Sequence, residues 1–123
     1  MPPLTQNMRR TGHYIVSEAN GHRSREVGVI ASGSGKLEAG TVLGQVTATK
    51  KFKPLAPAAT DGTQTAAAIL FEGCDATAAD VRRTITARDC EVQAAVLAWP
   101  AGITDPQKTA ALAALAALGI AAR

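Results

Sequence analysis

The sequence predicts a small, mostly β domain that ends in one helix and contains little regular secondary structure. A length of 123 residues suits a single domain with a modest core, and a hydrophobic content of 46% is typical of a globular protein. The apolar runs are short and are separated by turns rich in glycine and proline, which favours strands. These runs do not alternate with helical segments, so a doubly wound fold is disfavoured. We expect six or seven short strands.

The core is predicted to consist of small aliphatic side chains. Aromatic residues make up only 3% of the chain, so alanine, valine, leucine and isoleucine must fill the interior. Each of these side chains buries little apolar area. A chain of this composition gains stability by burying more surface against copies of itself, and we therefore expect self-association.

Residues 1–25 are predicted to form a flexible N-terminal arm in front of a single β-rich domain of residues 26–123. The arm has no sustained periodicity and is basic, because within residues 1–26 four arginines face two glutamates. Such an arm can meet an acidic partner or remain solvated. Its one apolar island, H-Y-I-V at residues 13–16, is suited to pairing with a sheet edge in its own subunit or in a partner.

The first part of the domain alternates between strand candidates and turns. Residues 25–31 and 41–46 are predicted strands, and a serine-glycine turn separates them. Gly44 lies inside the second strand, which indicates a bulge or a close approach of another backbone. Pro54 and Pro57 limit the following segment to edge or extended structure.

The stretch from Thr60 to Phe71 is the centre of the prediction. Asp61-Gly62 predicts a turn, because glycine accepts a positive φ and aspartate can bond its own backbone. Residues 66–71 form a continuous apolar run that is too short for a typical helix and long enough for a buried strand. No side chain in this stretch is suited to catalysis.

The chain beyond this strand is predicted to form a loop, one long hairpin and the terminal helix. Residues 73–80 indicate a loop that has room for one helical turn. Residues 81–88 and 91–99 are the predicted strands of the hairpin, because apolar and polar residues alternate along them. Asp89 marks the break between the two strands.

The C-terminal helix is predicted to span about residues 105–118. Thr104 can cap it with Gln107 in a capping box, or Asp105 can cap it with a proline at the first helical position. The predicted apolar stripe consists of Leu112, Leu115 and Leu118. Gly119 suits the left-handed end of a helix, after which Ile120 would fold back onto Leu115.

The motifs that suggest phosphate or metal chemistry are incomplete. G-S-G-K at residues 33–36 lacks the first glycine and the final serine or threonine of a phosphate-binding loop, so a hairpin turn is predicted. His13, His22, Cys74 and Cys90 lack the short spacing of zinc ligands. Both cysteines are expected to be free thiols, because no secretory signal precedes them, and to behave as small buried or half-buried hydrophobic residues.

Catalytic groups and other partners receive little support from the sequence. The only imidazoles lie in the arm, and the carboxylates near loops have no partner that would perturb their pKa. We therefore predict no catalytic residue and no cofactor. No basic stripe is interleaved with aromatic residues, and the longest apolar segment is too short to span a bilayer, so neither nucleic acid nor a membrane is expected as a partner. Trp99 is expected to anchor a core or an interface.

Four stretches of the chain, taken in order, match a known pattern. They are L-E-A-G-T-V-L-G at 37–44, K-P-L-A-P-A-A-T-D-G-T-Q-T-A-A-A-I-L at 53–70, V-L-A-W-P at 96–100, and the capped helix from Thr104 to the end. With this order and spacing, roughly residues 36–123 resemble the head decoration protein family of tailed bacteriophages. None of the four stretches is a catalytic signature.

The resemblance implies a β-clip-like domain and a structural role in the virion. Members of the family are expected to form homotrimers that bind the outside of the expanded phage head at threefold positions and stabilise it. The implied partners are the major capsid protein and further copies of the chain. The implied location is the outer surface of the capsid, after synthesis in the host cytoplasm.

The resemblance also suggests which residues carry the role. The N-terminal arm would order against the capsid, and by position this gives a candidate capsid-binding set: Arg9, Arg10, His13, Tyr14, Ile15 and Val16. A second set is expected to pack the trimer or the core: Trp99, Pro100, Leu112 and Leu115. Ordering of a segment only on contact is thermodynamically reasonable for such an arm.

Two other functions remain open from the sequence. Trimeric β-clip proteins include nucleotide hydrolases of the dUTPase kind, for which the available features are the Asp61 carboxylate in the Asp61-Gly62 turn and the Asp89 carboxylate. A generic protein-interaction adaptor is the other alternative. Nucleotide turnover would favour the hydrolase, whereas binding that depends on capsid expansion would favour decoration.

Overall fold

The computed structural model describes residues 11–21 and 23–123, and it confirms a mostly β domain with one C-terminal helix. The described residues form ten strands, more than the six or seven expected, because several strands are only three residues long. The strands are β1 (Ile15–Glu18), β2 (Arg25–Ile30), β3 (Gly35–Leu37), β4 (Val42–Gln45), β5 (Phe52–Pro54), β6 (Ala66–Leu70), β7 (Cys74–Ala76), β8 (Val81–Thr86), β9 (Cys90–Val92) and β10 (Ile120–Ala122). The helix α1 spans Asp105–Ala117, and a 3-10 turn spans Ala94–Val96.

Five strands close into a barrel in the order β2-β5-β4-β6-β8. The β2 and β8 strands pair antiparallel along their full length, from Arg25 opposite Thr86 to Ile30 opposite Val81. The β2 and β5 strands close the barrel through one parallel pair, Ile30 with Phe52. The apolar run predicted at residues 66–71 forms β6, which lies between β4 and β8 and is largely buried.

Two small sheets extend the barrel. In the first, β9 lies between β1, which is antiparallel to it, and β10, which is parallel to it. In the second, β3 pairs antiparallel with β7. The first sheet therefore brings the earliest described strand and the last strand of the chain to the two sides of β9.

The buried apolar side chains form two clusters on opposite sides of the same strands. The first cluster lies between the barrel, the β1-β9-β10 sheet and α1, and it includes Val42, Ile69 and Leu115. The second cluster includes Leu43 and Leu70. Neighbouring residues of β4 and β6 thus contribute to different clusters, as the two-residue period of a strand requires.

Gly44 lies both at a bulge and at a close approach of another backbone, which are the two alternatives that the sequence predicted. The pairing register between β4 and β6 shifts between Leu43 and Gly44, which is a bulge. A Cβ atom at this glycine would lie 2.5 Å from both Cα and the carbonyl oxygen of Thr63. The bulge and the close approach are the same feature, since the Asp61–Thr63 turn folds directly over the strand.

The structure corrects three of the predictions for the chain after residue 72. The expected long hairpin is wrong, because β8 pairs with β2 and β6 in the barrel, whereas β9 pairs with β1 and β10 in the first small sheet. The loop predicted at residues 73–80 contains β7, because its backbone pairs with β3 from Gly35–Ala76 to Leu37–Cys74. The strand predicted at residues 91–99 ends at Val92. The chain then forms the 3-10 turn, whose first amide, that of Ala94, donates to the carbonyl of Arg123.

The C-terminal helix begins and ends as its sequence predicts. Thr104 is the N-cap: its hydroxyl accepts from the amide of Gln107, while the Gln107 side chain accepts from the amide of Thr104. Gly119 has φ +85° and its amide donates to the carbonyl of Ala116, which ends the helix. No helix in the described part of the chain is long and apolar enough to cross a membrane.

Candidate interaction surfaces

The first described residues belong to the fold, in contrast to the flexible arm expected for residues 1–25. Tyr14 is completely buried, and its hydroxyl shares a hydrogen bond of 2.5 Å with the Thr86 hydroxyl. Ile15–Glu18 is strand β1 and pairs with β9 of the same chain. Of the two alternatives for the apolar island, the structure shows pairing within one subunit. Arg9, Arg10 and His22 lie outside the described residues.

The four residues of the island have different surroundings. His13 is half-buried and stands edge-on to Tyr14, with ring centroids 5.8 Å apart. Ile15 packs against the first cluster. Val16 is 51% exposed and is the one member of the four that offers a large apolar side chain to a partner.

Hydrogen bonds of Glu18 hold the C-terminal end of β1. The Glu18 carboxylate accepts hydrogen bonds from the Ser24 hydroxyl at 2.6 Å and from the Arg25 guanidinium at 2.5 Å. The same guanidinium lies 4.3 Å from the centre of the Phe71 ring, a cation–π contact. The β1 strand is therefore held at both ends, by Tyr14 in the core and by Glu18 at the surface.

The second candidate set divides between core and surface. Leu115 is completely buried, and Leu112 and Trp99 are half-buried against the first cluster. Leu118, the third member of the predicted helical stripe, is 40% exposed. Three residues make less than one helical turn, so each three-residue step along the predicted stripe moves the side chain around the helix, and Leu118 lies away from the buried face. The two buried residues of the helix are Ala111 and Leu115, which are four residues apart.

Trp99 and Pro100 line an open groove of about 670 Å³ on the surface. Its apolar lining also includes Leu37, Val42 and Pro54. Charged side chains of both signs stand at its rim: Lys36, Glu38 and Asp75. Trp99 therefore packs against the first cluster and also lines a surface groove.

The β2 strand and the end of α1 together form a second apolar surface, which was not expected from the sequence. Val27 is 60% exposed and lines a hollow of about 1090 Å³ together with Leu118. The alternation of β2 was an available signal, because it places Val27 on the opposite side of the strand from the buried Gly28 and Ile30. That Leu118 lines the same hollow as Val27 could be seen only in the tertiary structure.

The described residues offer no activated nucleophile. Burial raises the pKa of Cys90 to about 11, and burial likewise raises the pKa of Cys74, so both thiols stay protonated at neutral pH. Burial also raises the pKa of Tyr14, against the opposing effect of its bond to Thr86. Both cysteines are free within the described chain.

The carboxylates that would serve a hydrolase have structural partners. Asp61 accepts bonds from the hydroxyl and the amide of Thr63, and these bonds lower its pKa. Asp89 lies 3.6 Å from the Arg23 guanidinium at an exposed position. Within residues 11–21 and 23–123, no three histidine, cysteine or acidic side chains are grouped so that they could hold a metal ion.

Comparison with known proteins identifies the family. A family model described as bacteriophage lambda head decoration protein D matches residues 4–120, which is nearly the whole chain. No curated protein matches the chain significantly. The match extends over the barrel, the β3-β7 sheet, β1, β9 and the helix, and it ends at the first residue of β10. The chain therefore belongs to the bacteriophage lambda head decoration protein D family, which is a family of structural proteins of the phage capsid.

Proposed function

We propose that this chain is a homotrimeric cementing protein that binds the outside of the expanded phage head at threefold positions and stabilises it. The family match over residues 4–120 is the observation that carries the proposal. The chemistry of the described surface supports it, since apolar patches and exposed ion pairs suit protein contacts. The family assignment favours this role over the nucleotide hydrolase.

The capsid contact is proposed to involve the residues before Gly12, including Arg9 and Arg10, together with Val16. Tyr14 would have to leave the core to touch a capsid, so its part is to anchor the segment. The Gly12 amide donates to the carbonyl of Phe71 at 2.9 Å, which marks where the chain is already attached to the domain. An exposed apolar residue on an edge strand is a common contact for a partner protein.

The test compares the full chain with a variant that lacks residues 1–10. The cut leaves Gly12, Tyr14 and β1 in place, so we expect an unchanged melting temperature. We expect binding to purified expanded heads, measured by co-sedimentation, to fall at least tenfold. Unexpanded heads serve as the control, because the proposed site forms on expansion.

The variant Val16→Gln independently tests whether this surface contacts the head. It should weaken head binding without changing stability, because the side chain is already half in solvent. Equal affinity of the full chain, the truncated chain and the Val16 variant would refute the assignment of this surface. Failure of the full chain to bind expanded heads, or to raise their resistance to heat, would refute the cementing function itself.

A further inference from the structure

The turn at the start of the described chain is attached to the barrel at Phe71. The amide of Gly12 donates to the carbonyl of Phe71 at 2.9 Å, and the amide of Ile15 donates to the carbonyl of Gly12 at 3.1 Å. Phe71 directly follows β6, and its own amide donates to the carbonyl of Thr84 in β8. The backbone of Phe71 is therefore bonded at both of its polar groups, and it gives Gly12 a fixed point on the barrel.

The space around Gly12 fixes this residue further. Its φ is +67°, in a region that residues with a side chain rarely adopt. A Cβ atom at Gly12 would lie 2.9 Å from Cε2 and 3.3 Å from Cζ of the Phe71 ring. The backbone of Gly12 therefore lies directly against this ring, and a side chain there would displace either the ring or the turn.

A second contact holds the Phe71 ring. The guanidinium of Arg25 lies over the ring, 4.3 Å from its centre. The same guanidinium donates to the Glu18 carboxylate at 2.5 Å, and that carboxylate also accepts from the Ser24 hydroxyl. Gly12 precedes β1 and Glu18 ends it, so contacts from both sides of this strand lead to one aromatic ring.

These contacts lie where residues 1–10 join the domain. The backbone angles at Gly12 set the direction in which the preceding residues leave the barrel. The proposed head contact includes Arg9 and Arg10, which precede Gly12 by three and two residues. A rigid point of attachment reduces the conformational freedom that a segment loses on binding, and it thereby strengthens binding.

We propose that Gly12 and Phe71 are positioning residues, which direct residues 1–10 towards the phage head and so raise the affinity of the chain for it. This inference rests on the proposed head contact of residues 1–10. Neither Gly12 nor Phe71 touches the head in this proposal, because both act through the segment that precedes them. Arg25 supports the arrangement by holding the Phe71 ring.

The first test compares two glycines with the same backbone conformation. Gly12 has φ +67° and Gly21 has φ +69°, but a Cβ atom at Gly21 would meet nothing within 4 Å. We expect Gly12→Ala to lower the affinity for expanded heads about fivefold or more in co-sedimentation, and Gly21→Ala to bind as the wild type does. Backbone strain is common to both variants, so an equal loss in both would overturn the proposal. Wild-type affinity of Gly12→Ala would overturn it as well.

The second test repeats Gly12→Ala in the variant that lacks residues 1–10. No segment is left to position there, so the substitution should cause no further loss of head binding. The comparison is a double-mutant cycle, which isolates the coupling between Gly12 and the missing segment. The same fold-loss in the full and the truncated chain would overturn the proposal, because Gly12 would then act on β1 or touch the head itself.

Phe71→Leu tests the same position without backbone strain at Gly12. The variant keeps an apolar side chain and the backbone carbonyl, but it removes the ring that lies between Gly12 and Arg25. Phe52→Leu is the matched control, since Phe52 belongs to the second cluster. We expect Phe71→Leu to weaken head binding of the full chain only, and Phe52→Leu to lower the melting temperature without changing the affinity. Wild-type affinity of Phe71→Leu would refute the role of the ring.

The failures of the two proposals differ. Full and truncated chains that bind expanded heads equally would refute the head contact of residues 1–10, and the positioning role with it. A truncated chain that binds weakly, together with a Gly12→Ala variant that binds as the wild type does, would keep the head contact and refute the positioning role alone.

Discussion

At the scale of single residues, Gly44 determines how the Asp61–Thr63 turn lies on the barrel. The backbone of Thr63 occupies the space that a side chain at Gly44 would need. The turn is held against neighbouring chain by backbone bonds, because the amide of Thr47 donates to the carbonyl of Asp61 and the amide of Ala56 donates to the carbonyl of Thr63, each at 2.9 Å. The turn cannot move away without losing these bonds, so the site must remain without a side chain.

We predict that Gly44→Ala destabilises the protein by about 1–3 kcal/mol, the usual range for overpacking a well-packed site. Gly28→Ala is the matched control, because Gly28 is also a buried strand glycine with an ordinary φ. A Cβ atom there would meet side-chain atoms of Phe52 and Ile85 and no backbone atom, so we expect a smaller loss at Gly28 than at Gly44. Urea denaturation of both variants measures the difference, and an equal or smaller loss at Gly44 would contradict the steric argument.

Single residues also show what the sequence could and could not predict. Gly44 was identified correctly, since an isolated glycine in an apolar strand is a local signal. The different fates of Tyr14 and Val16 could not be read, because Tyr14 is held by Thr86, a partner 72 positions away. Which residues of the N-terminal segment face solvent therefore depends on contacts with residues far away in the sequence, and a local sequence pattern does not reveal these contacts.

At the scale of elements, the helix α1 was the most predictable part of the chain. Its capping box, its proline in the first turn and its terminal glycine are all local, and each is seen in the structure. The strands β7 and β10 are three residues long, which is too short for a two-residue period to be recognised. They exist because a distant strand offers hydrogen bonds, as β3 does for β7.

We predict that Thr104→Ala destabilises the protein by about 1 kcal/mol, because it removes the side-chain acceptor for the Gln107 amide. Thr109→Ala is the control, since this threonine lies inside the same helix and is exposed. Alanine has the higher helix propensity, so the control should be neutral or slightly stabilising. Thermal melts of both variants give the comparison. A loss at Thr109 equal to that at Thr104 would show that the cap is not the cause.

At the scale of the whole molecule, the two apolar clusters depend on each other. The β4 strand gives Val42 to the first cluster and Leu43 to the second, and β6 likewise divides Ile69 and Leu70. Opening one cluster would separate strands that also close the other. The closed barrel and its two small sheets should therefore unfold as one cooperative unit.

The two cysteines allow a direct test of this cooperativity, because Cys90 belongs to the first cluster and Cys74 to the second. We predict that in urea both thiols become reactive in one transition, together with the change in Trp99 fluorescence.

Leu115→Ala, which removes a fully buried leucine from the first cluster, should lower the free energy of unfolding by about 2–5 kcal/mol. It should move the midpoints of both thiols equally. Cys74→Ala and Cys90→Ala assign each signal, and protomer concentration is held constant because self-association shifts the midpoint. If Leu115→Ala exposed Cys90 at lower urea while Cys74 stayed protected, the clusters would be separate folding units, and the shared strands would not couple them.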